Sequence, residues 1–200
     1  MTWRVLGLTT AVVAWLLAPS PQAFGEAKLT VTKLVEKKVA QLPAGPLFWR
    51  IETFLTRTEA ERAAGAFSLV AESGGKAWLF TLGPAGAASS PGGTKVAEVG
   101  PLPPVVAPEY LLRVNQASGP PGSITSVHSH PGSEAFYVLA GEQSIRSAAG
   151  VVRVTSGKPE ARGGADMPMQ VSSTGTTDLH ALVMFVVDAT KPFSRPGTFR

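Results

Sequence analysis

Short runs in which apolar and polar residues alternate recur along most of the chain, and this period of two is typical of β-strands with one buried face. Beyond position 105 the runs predict seven strands at nearly regular spacing, over 109–117, 123–130, 134–140, 143–148, 151–155, 165–172 and 178–188. No repeat of 20 to 50 residues is visible. The pattern therefore favours a barrel or sandwich over a propeller or solenoid.

The N-terminal half predicts less regular elements. Residues 27–42 fit either a strand or a helix, and the β-branched residues at their start favour the strand. Thr58 and Glu61 have the spacing of a capping box, so a helix of about two turns is expected there, ending at Gly65. A further strand is predicted over 47–54, and two strands over 66–72 and 76–82 are expected to form a hairpin. An edge strand is predicted near 95–99, within the Gly- and Pro-rich stretch 83–104.

The first 25 residues have the pattern of an export signal. Arg4 precedes an apolar run over 5–18, and the small residues Ala23 and Gly25 follow near the expected cleavage point. The run is shorter than the roughly 20 residues needed to cross a bilayer, although an uncut membrane anchor is the alternative. We therefore expect cleavage after position 25 and a periplasmic or secreted location.

Composition narrows the possible chemistry. With 21 Gly, 17 Pro and 16% charged residues in 200, the chain suits many turns and not a helical bundle. Its net charge of +4 comes from basic residues that do not cluster, so no nucleic-acid partner is expected. The absence of cysteine excludes disulfides, thiolate catalysis and sulfur-ligated metals. A metal would have to use carboxylates and the three histidines, His128, His130 and His180.

Two of these histidines and a glutamate stand close together in the sequence. His128 and His130 are two positions apart, so on a strand both rings would point to the same face. Glu134 follows a Pro-Gly-Ser turn and can return to that face. Two imidazoles and one carboxylate would form a facial ligand set for a divalent first-row metal, with positions left open. Such spacing also occurs in surface loops, so a purely structural role stays open on spacing alone.

The flanks of this segment extend the pattern. From Gly122 to Gly141 the sequence reads G-x5-H-x-H-x3-E-x6-G, which resembles the first motif of the cupin superfamily. The resemblance covers residues 105–190 and implies an all-β double-stranded β-helix, a jelly-roll barrel of two antiparallel sheets with a metal inside. Residues 26–104 are then expected to supply extra N-terminal strands, one short helix and loops that complete the barrel, and residues 191–200 form a C-terminal tail.

The second cupin motif, G-x5-P-x-G-x2-H-x3-N, is incomplete here. Ten residues separate Gly157 from Pro168 where the family has five. Ser173 stands where the resemblance would place a histidine as the fourth ligand. His180 lies seven residues further along. It is open whether His180 is a substitute ligand, a partner of a ligand, an acid–base group in the cavity or a structural histidine.

The resemblance implies an exported metal-binding cupin that binds or transforms a small organic molecule. His128, His130 and Glu134, with His180 as a possible addition, would hold iron, manganese, nickel, copper or zinc. Enzymatic activity is left open, and a dioxygenase-type reaction is the first to test. The alternatives are a non-catalytic binding cupin with a structural metal or none, and a metal-free isomerase with a histidine as general base. No membrane partner beyond the signal segment is expected, and strand edges before residue 100 offer a surface for a homodimer.

Overall fold

The computed structural model describes residues 27–199, so the segment interpreted as an export signal lies outside the described residues. About 53% of the residues lie in strands, and the described part of the chain has one short helix. The elements are β1 (Thr30–Val39), β2 (Phe48–Phe54), α1 (Arg57–Ala63), β3 (Ser68–Ser73), β4 (Lys76–Gly83), β5 (Thr94–Val99), β6 (Tyr110–Gly119), β7 (His128–Ser129), β8 (Gly132–Ala140), β9 (Glu142–Ser147), β10 (Gly150–Thr155), β11 (Glu160–Arg162), β12 (Met169–Ser173), β13 (Leu179–Asp188) and β14 (Arg195–Pro196). Within residues 27–199, no helix has the length and apolar character that a membrane crossing requires.

Two five-stranded antiparallel sheets form the barrel. The first has the order β1-β6-β13-β8-β11 and the second the order β10-β9-β12-β7-β14. Their inner faces meet in one hydrophobic core, in which Phe136 and Val183 of the first sheet pack with Ile145 and Val171 of the second. The predicted double-stranded β-helix is therefore confirmed.

The N-terminal strands do not complete the barrel as the sequence suggested. Only β1 joins a barrel sheet, through its pairing with β6. Strands β3-β4-β2-β5 form a separate four-stranded sheet that packs on the outer face of the first barrel sheet. The physical reason is that β2 and β4 carry apolar residues on both faces. Trp49 and Phe80 pack toward the barrel, while Phe54 and Leu79 pack with Ala60 of α1 on the far side.

Strand β13 is the most apolar strand because both of its faces are buried. Val183 and Phe185 point into the barrel core, and Leu182 and Met184 point toward the four-stranded sheet. Side chains alternate between the faces of a strand, so each position on β13 is assigned to one core by its parity.

The helix begins earlier than predicted. Thr56 is the N-cap, with its Oγ1 accepting from the backbone N–H of Glu59 at 3.2 Å, and the Glu59 carboxylate accepts in return from the Thr56 N–H at 3.1 Å. The pair Thr58 and Glu61 has the same spacing but lies one half-turn later, inside the helix. The helix ends at Ala63 because Ala64 takes an extended conformation, one residue before Gly65.

The strand favoured over residues 27–42 is confirmed as β1. The region before the histidines is less regular than predicted. The predicted strand over 123–130 is reduced to the two residues of β7, with Ile124 making only isolated bridges to Lys28 and Ser172. The two histidines are therefore held by a loop and a very short strand.

Candidate functional site

A cavity of about 340 Å³ opens into the barrel between its two sheets, and His128, His130 and Glu134 all line it. Its other walls are mainly apolar. They are formed by Leu29, Val31, Ala117, Phe136, Val171, Val183, Phe185 and Phe193, with Lys28, Asn115, Thr125, Ser126 and Ser194 as the polar additions. The structure thus brings the three residues of the first motif into one small, largely apolar chamber.

Backbone carbonyls orient both imidazoles. Nδ1 of His128 lies 2.8 Å from the carbonyl oxygen of Ser126, and Nδ1 of His130 lies 2.6 Å from that of Phe193. A carbonyl can only accept, so each Nδ1 carries a proton, and the neutral form of either ring would keep its lone pair on Nε2. The two ring centroids are 5.1 Å apart in an edge-to-face arrangement.

His130 is buried among aromatic rings. Its side chain packs 4.9 Å from the Phe185 ring and 4.6 Å from the Phe193 ring, between centroids, and only 5% of the residue is exposed. Burial disfavours the charged imidazolium and lowers the pKa of His130 to about 4. The ring is therefore neutral at physiological pH and available as a lone-pair donor.

Glu134 is the second buried titratable group of the cavity. It lies on the inner face of β8, is 2% exposed, and receives no hydrogen bond or ion pair from any of the described side chains. Burial raises its pKa to about 8. Without a cation nearby the carboxyl group is therefore protonated at neutral pH and can donate a hydrogen bond into the cavity.

These side chains share a cavity without forming a preformed chelate. Within residues 27–199, no three His, Asp or Glu side chains lie close enough together to hold a metal ion. The cavity instead combines a neutral imidazole, a protonated carboxyl and the buried Asn115, whose Oδ1 has no hydrogen-bond partner among the described residues. Such a set suits a small organic molecule with one or two polar groups and an otherwise apolar surface.

His180 does not line the cavity, so the structure does not bring it together with the other two histidines. It has the same parity on β13 as Leu182 and therefore points out of the barrel, toward β3. There its Nε2 lies 3.1 Å from Oγ of Ser73, which itself donates to Oε1 of Gln116 at 2.7 Å. Because the Ser73 hydroxyl has one proton, His180 is the donor in its own bond. Its surroundings fit the structural histidine among the roles left open.

The residue at the position of the expected fourth ligand, Ser173, does not point a donor atom into the cavity. Ser173 is 1% exposed and pairs across the sheet with Gln143, which is 0% exposed. The Ser173 hydroxyl and both amide atoms of Gln143 have no hydrogen-bond partner within the described part of the chain. Neither residue lines the cavity.

Sequence reasoning missed the contribution of the C-terminal tail. Phe193 and Ser194 line the cavity, and the guanidinium carbon of Arg113 lies 3.7 Å from the centroid of the Phe193 ring. The one signal in the sequence is an aromatic residue directly after Pro192, in a tail with one other aromatic residue, Phe199.

Comparison with known proteins gives distant similarities to solved structures. No protein-family model matches the chain, and no curated protein does. Similar solved structures include the DMSP lyase of Ruegeria pomeroyi DSS-3 (21% identity, TM-score 0.37, 42% of each chain covered), a cupin-like protein of Thermotoga maritima (15%, 0.39, 44% of this chain and 65% of that one) and a cupin 2 domain-containing protein of Halorhodospira halophila (15%, 0.38, 44% and 59%). This chain covers less than two thirds of each.

The fold assignment rests on the molecule itself. Two facing five-stranded antiparallel sheets enclose a cavity, and a complete first motif supplies that cavity's two histidines and its glutamate. The chain has the double-stranded β-helix fold that the resemblance of its first motif implies.

Proposed function

We propose that this protein is an exported cupin that binds or transforms a small organic molecule in the barrel cavity, and that His128, His130 and Glu134 hold a divalent transition metal there. The observation that supports this proposal is that one cavity contains two imidazoles oriented by carbonyls and one buried carboxyl group that has no partner among the described side chains.

The chemistry of the donors fits a metal. A histidine ligand commonly donates its other N–H to a backbone carbonyl, which is the arrangement of His128 and His130. A cation would also stabilise the ionised form of Glu134, which burial otherwise opposes. Side-chain rotation is required for convergence, because the described side chains do not lie at chelating distances. Imidazole and carboxylate donors suit iron, manganese, nickel, copper and zinc.

When bound, such a metal supplies a Lewis acid or a redox centre. The residues of the cavity would exclude water and orient the bound molecule. The aromatic and aliphatic walls exclude water from the bound molecule, and the buried amide of Asn115 offers its unpartnered oxygen to a hydrogen-bond donor of the substrate. A dioxygenase-type reaction is the first chemistry to test.

Metal analysis of the mature protein, purified without chelator or affinity metal, tests the site. We expect about one equivalent of a transition metal in the wild type and little in the H128A/H130A double variant. The matched control is H180A, which removes the histidine outside the cavity and leaves the metal content unchanged. The proposal fails if the wild type takes up no metal after reconstitution, or if all three proteins hold the same amount.

A non-catalytic binding cupin is the second candidate, and one observation favours it. Ser173 stands at the position of the usual fourth ligand and brings no donor to the cavity. Saturable binding of a small molecule without oxygen consumption or product formation, in metal-reconstituted protein, supports this candidate. Turnover in the same preparation excludes it.

Export is tested on the N-terminus. We expect the protein recovered from the periplasm or medium to begin at or near Glu26, which mass spectrometry of the intact chain measures directly. A full-length chain retained in the membrane fraction supports the uncut anchor instead.

A further inference from the structure

The chain beyond β13 folds back over the barrel cavity. Asp188 ends β13, and its Oδ1 accepts hydrogen bonds from the N–H and the hydroxyl of Thr190 at 2.9 and 2.6 Å. The backbone N–H of Lys191 donates to the carbonyl of Asp188, and its Nζ lies 3.3 Å from Oδ2 of the same residue. These bonds close a tight turn, after which Pro192 leads the chain toward the cavity.

Residues 193–197, which we call the C-terminal strap, are then fastened to the loop that carries the site histidines. In β14, Arg195 pairs with Ser129 and Pro196 pairs with His128. The backbone N–H of Gly197 donates to the carbonyl of Val127 at 3.0 Å. The strap is therefore attached on both sides of His128.

Phe193 is the residue of the strap that enters the cavity, and it is fixed from several directions. Its ring centroid lies 4.6 Å from that of His130 and 5.0 Å from that of Phe185. The guanidinium of Arg113 stacks on the same ring, and Arg113 Nε donates to Glu36 of β1 at 2.8 Å. The backbone carbonyl of Phe193 is thereby held 2.6 Å from Nδ1 of His130.

We propose that Phe193 is a positioning residue, whose carbonyl keeps His130 in the tautomer with its proton on Nδ1 and its lone pair on Nε2. A neutral imidazole has one ring proton, so the acceptor at Nδ1 decides which nitrogen is free to bind a ligand. Loosening the strap withdraws this acceptor and leaves both tautomers accessible. The inference rests on the proposed function only for the use of the free Nε2, because the tautomer is a property of the metal-free protein.

The tautomers of the histidines give a direct test. Two-bond nitrogen–proton correlation spectra of the full-length, metal-free protein with labelled histidine distinguish Nδ1–H from Nε2–H rings at neutral pH. We expect His130 to have the proton on Nδ1 in the wild type, and His180 to have it on Nε2, because the Ser73 hydroxyl already donates to Gln116. His180 thus serves as an internal reference that the fold is intact.

Two variants loosen the strap in different ways. G197P removes the N–H that bonds to Val127, and D188A removes the acceptor that closes the turn. T198P is the matched control, because it adds a proline next to the strap at an N–H for which no hydrogen bond is found in the described chain. In both loosened variants we expect a mixture of His130 tautomers and an unchanged His180, whereas T198P retains the wild-type spectrum.

Affinity for Zn²⁺, measured by calorimetry on the same proteins, gives a second readout. We expect about a tenfold loss in G197P and D188A and no loss in T198P. The inference is overturned if wild-type His130 has its proton on Nε2, or if both loosened variants keep the wild-type tautomer. Failure of the wild type to bind any metal would contradict the proposed function and leave the tautomer result to decide the role of Phe193.

Discussion

The carboxyl group of Glu134 makes the stability of the protein depend on pH in a predictable way. Burial raises its pKa from the ordinary value of 4.5 to about 8 in the folded protein. Between these two pH values the folded state therefore binds more protons than the unfolded state. Stability falls as the pH rises through this interval, by about 1.4 kcal/mol per pH unit for one proton. The contribution of Glu134 is complete below pH 4.5 and lost above pH 8.

His130 acts in the opposite direction at lower pH. Its pKa is lowered from 6.5 to about 4 by burial, so between these values the unfolded state binds the extra proton and stability falls as the pH is lowered. From pH 4.5 to 6.5 the two effects oppose each other. From pH 6.5 to 8 Glu134 acts alone, and the metal-free protein is expected to lose about 2 kcal/mol of unfolding free energy over this range.

The variant E134Q tests this reasoning because glutamine has nearly the same shape and does not ionise. Urea unfolding followed by circular dichroism, with a chelator present, gives the unfolding free energy at half-unit steps from pH 6.5 to 8. We expect E134Q to lack the decline of about 2 kcal/mol and to be more stable than the wild type at pH 8. The control is E72Q, which changes an exposed glutamate of β3 and retains the wild-type slope. Equal slopes in E134Q and the wild type would refute a raised pKa for Glu134.

Three further predictions follow from particular contacts. Under the proposed metal site, Zn²⁺ binding at pH 7 releases about one proton from Glu134, so the calorimetric enthalpy depends on the ionisation enthalpy of the buffer, and a buffer-independent enthalpy contradicts it. H180A removes a hydrogen bond to Ser73, so we expect the free energy of unfolding in urea to fall by about 1 kcal/mol. No fall in this free energy would show that the hydrogen bond does not stabilise the fold. T56A removes the N-cap of α1, so we expect it to lower the free energy of unfolding in urea by about 1 kcal/mol. T58A changes a residue inside the helix and is expected to lower it less. A larger loss in T58A than in T56A would instead support Thr58 as the N-cap.

The first motif was the part of the site that sequence reasoning could find, because its residues lie within a few positions of one another. The structure that brings His128, His130 and Glu134 together was nevertheless only partly predicted. The strand that was to carry His128 and His130 is only two residues long, and a backbone carbonyl 63 positions away orients His130. No local pattern reports a contact between Phe193 and His130, since it depends on where the turn after β13 directs the chain.

His180 illustrates a different limit. It is the second residue of β13, a strand that is apolar on both faces, so alternation alone does not tell which face points into the barrel. The four-stranded sheet decides the question, because it covers the outer face of β13. His180 and Leu182 lie on that face and contact this sheet. Because the sequence suggested that the N-terminal strands complete the barrel, it offered no second core for that face.

The loss of a donor at Ser173 changes how the candidate site is built. His128, His130 and Glu134 lie on β7, on β8 and in the link between these two strands, so one short segment that crosses from one sheet to the other supplies every donor of the proposed site. A strand of two residues, which pairs with β12 only between His128 and Met169, cannot hold two imidazoles in place through that pairing alone. The strap supplies further support by pairing with β7 and by accepting a hydrogen bond from Nδ1 of His130. In this chain the C-terminal residues therefore stabilise the part of the site that β7 cannot hold through its pairing with β12.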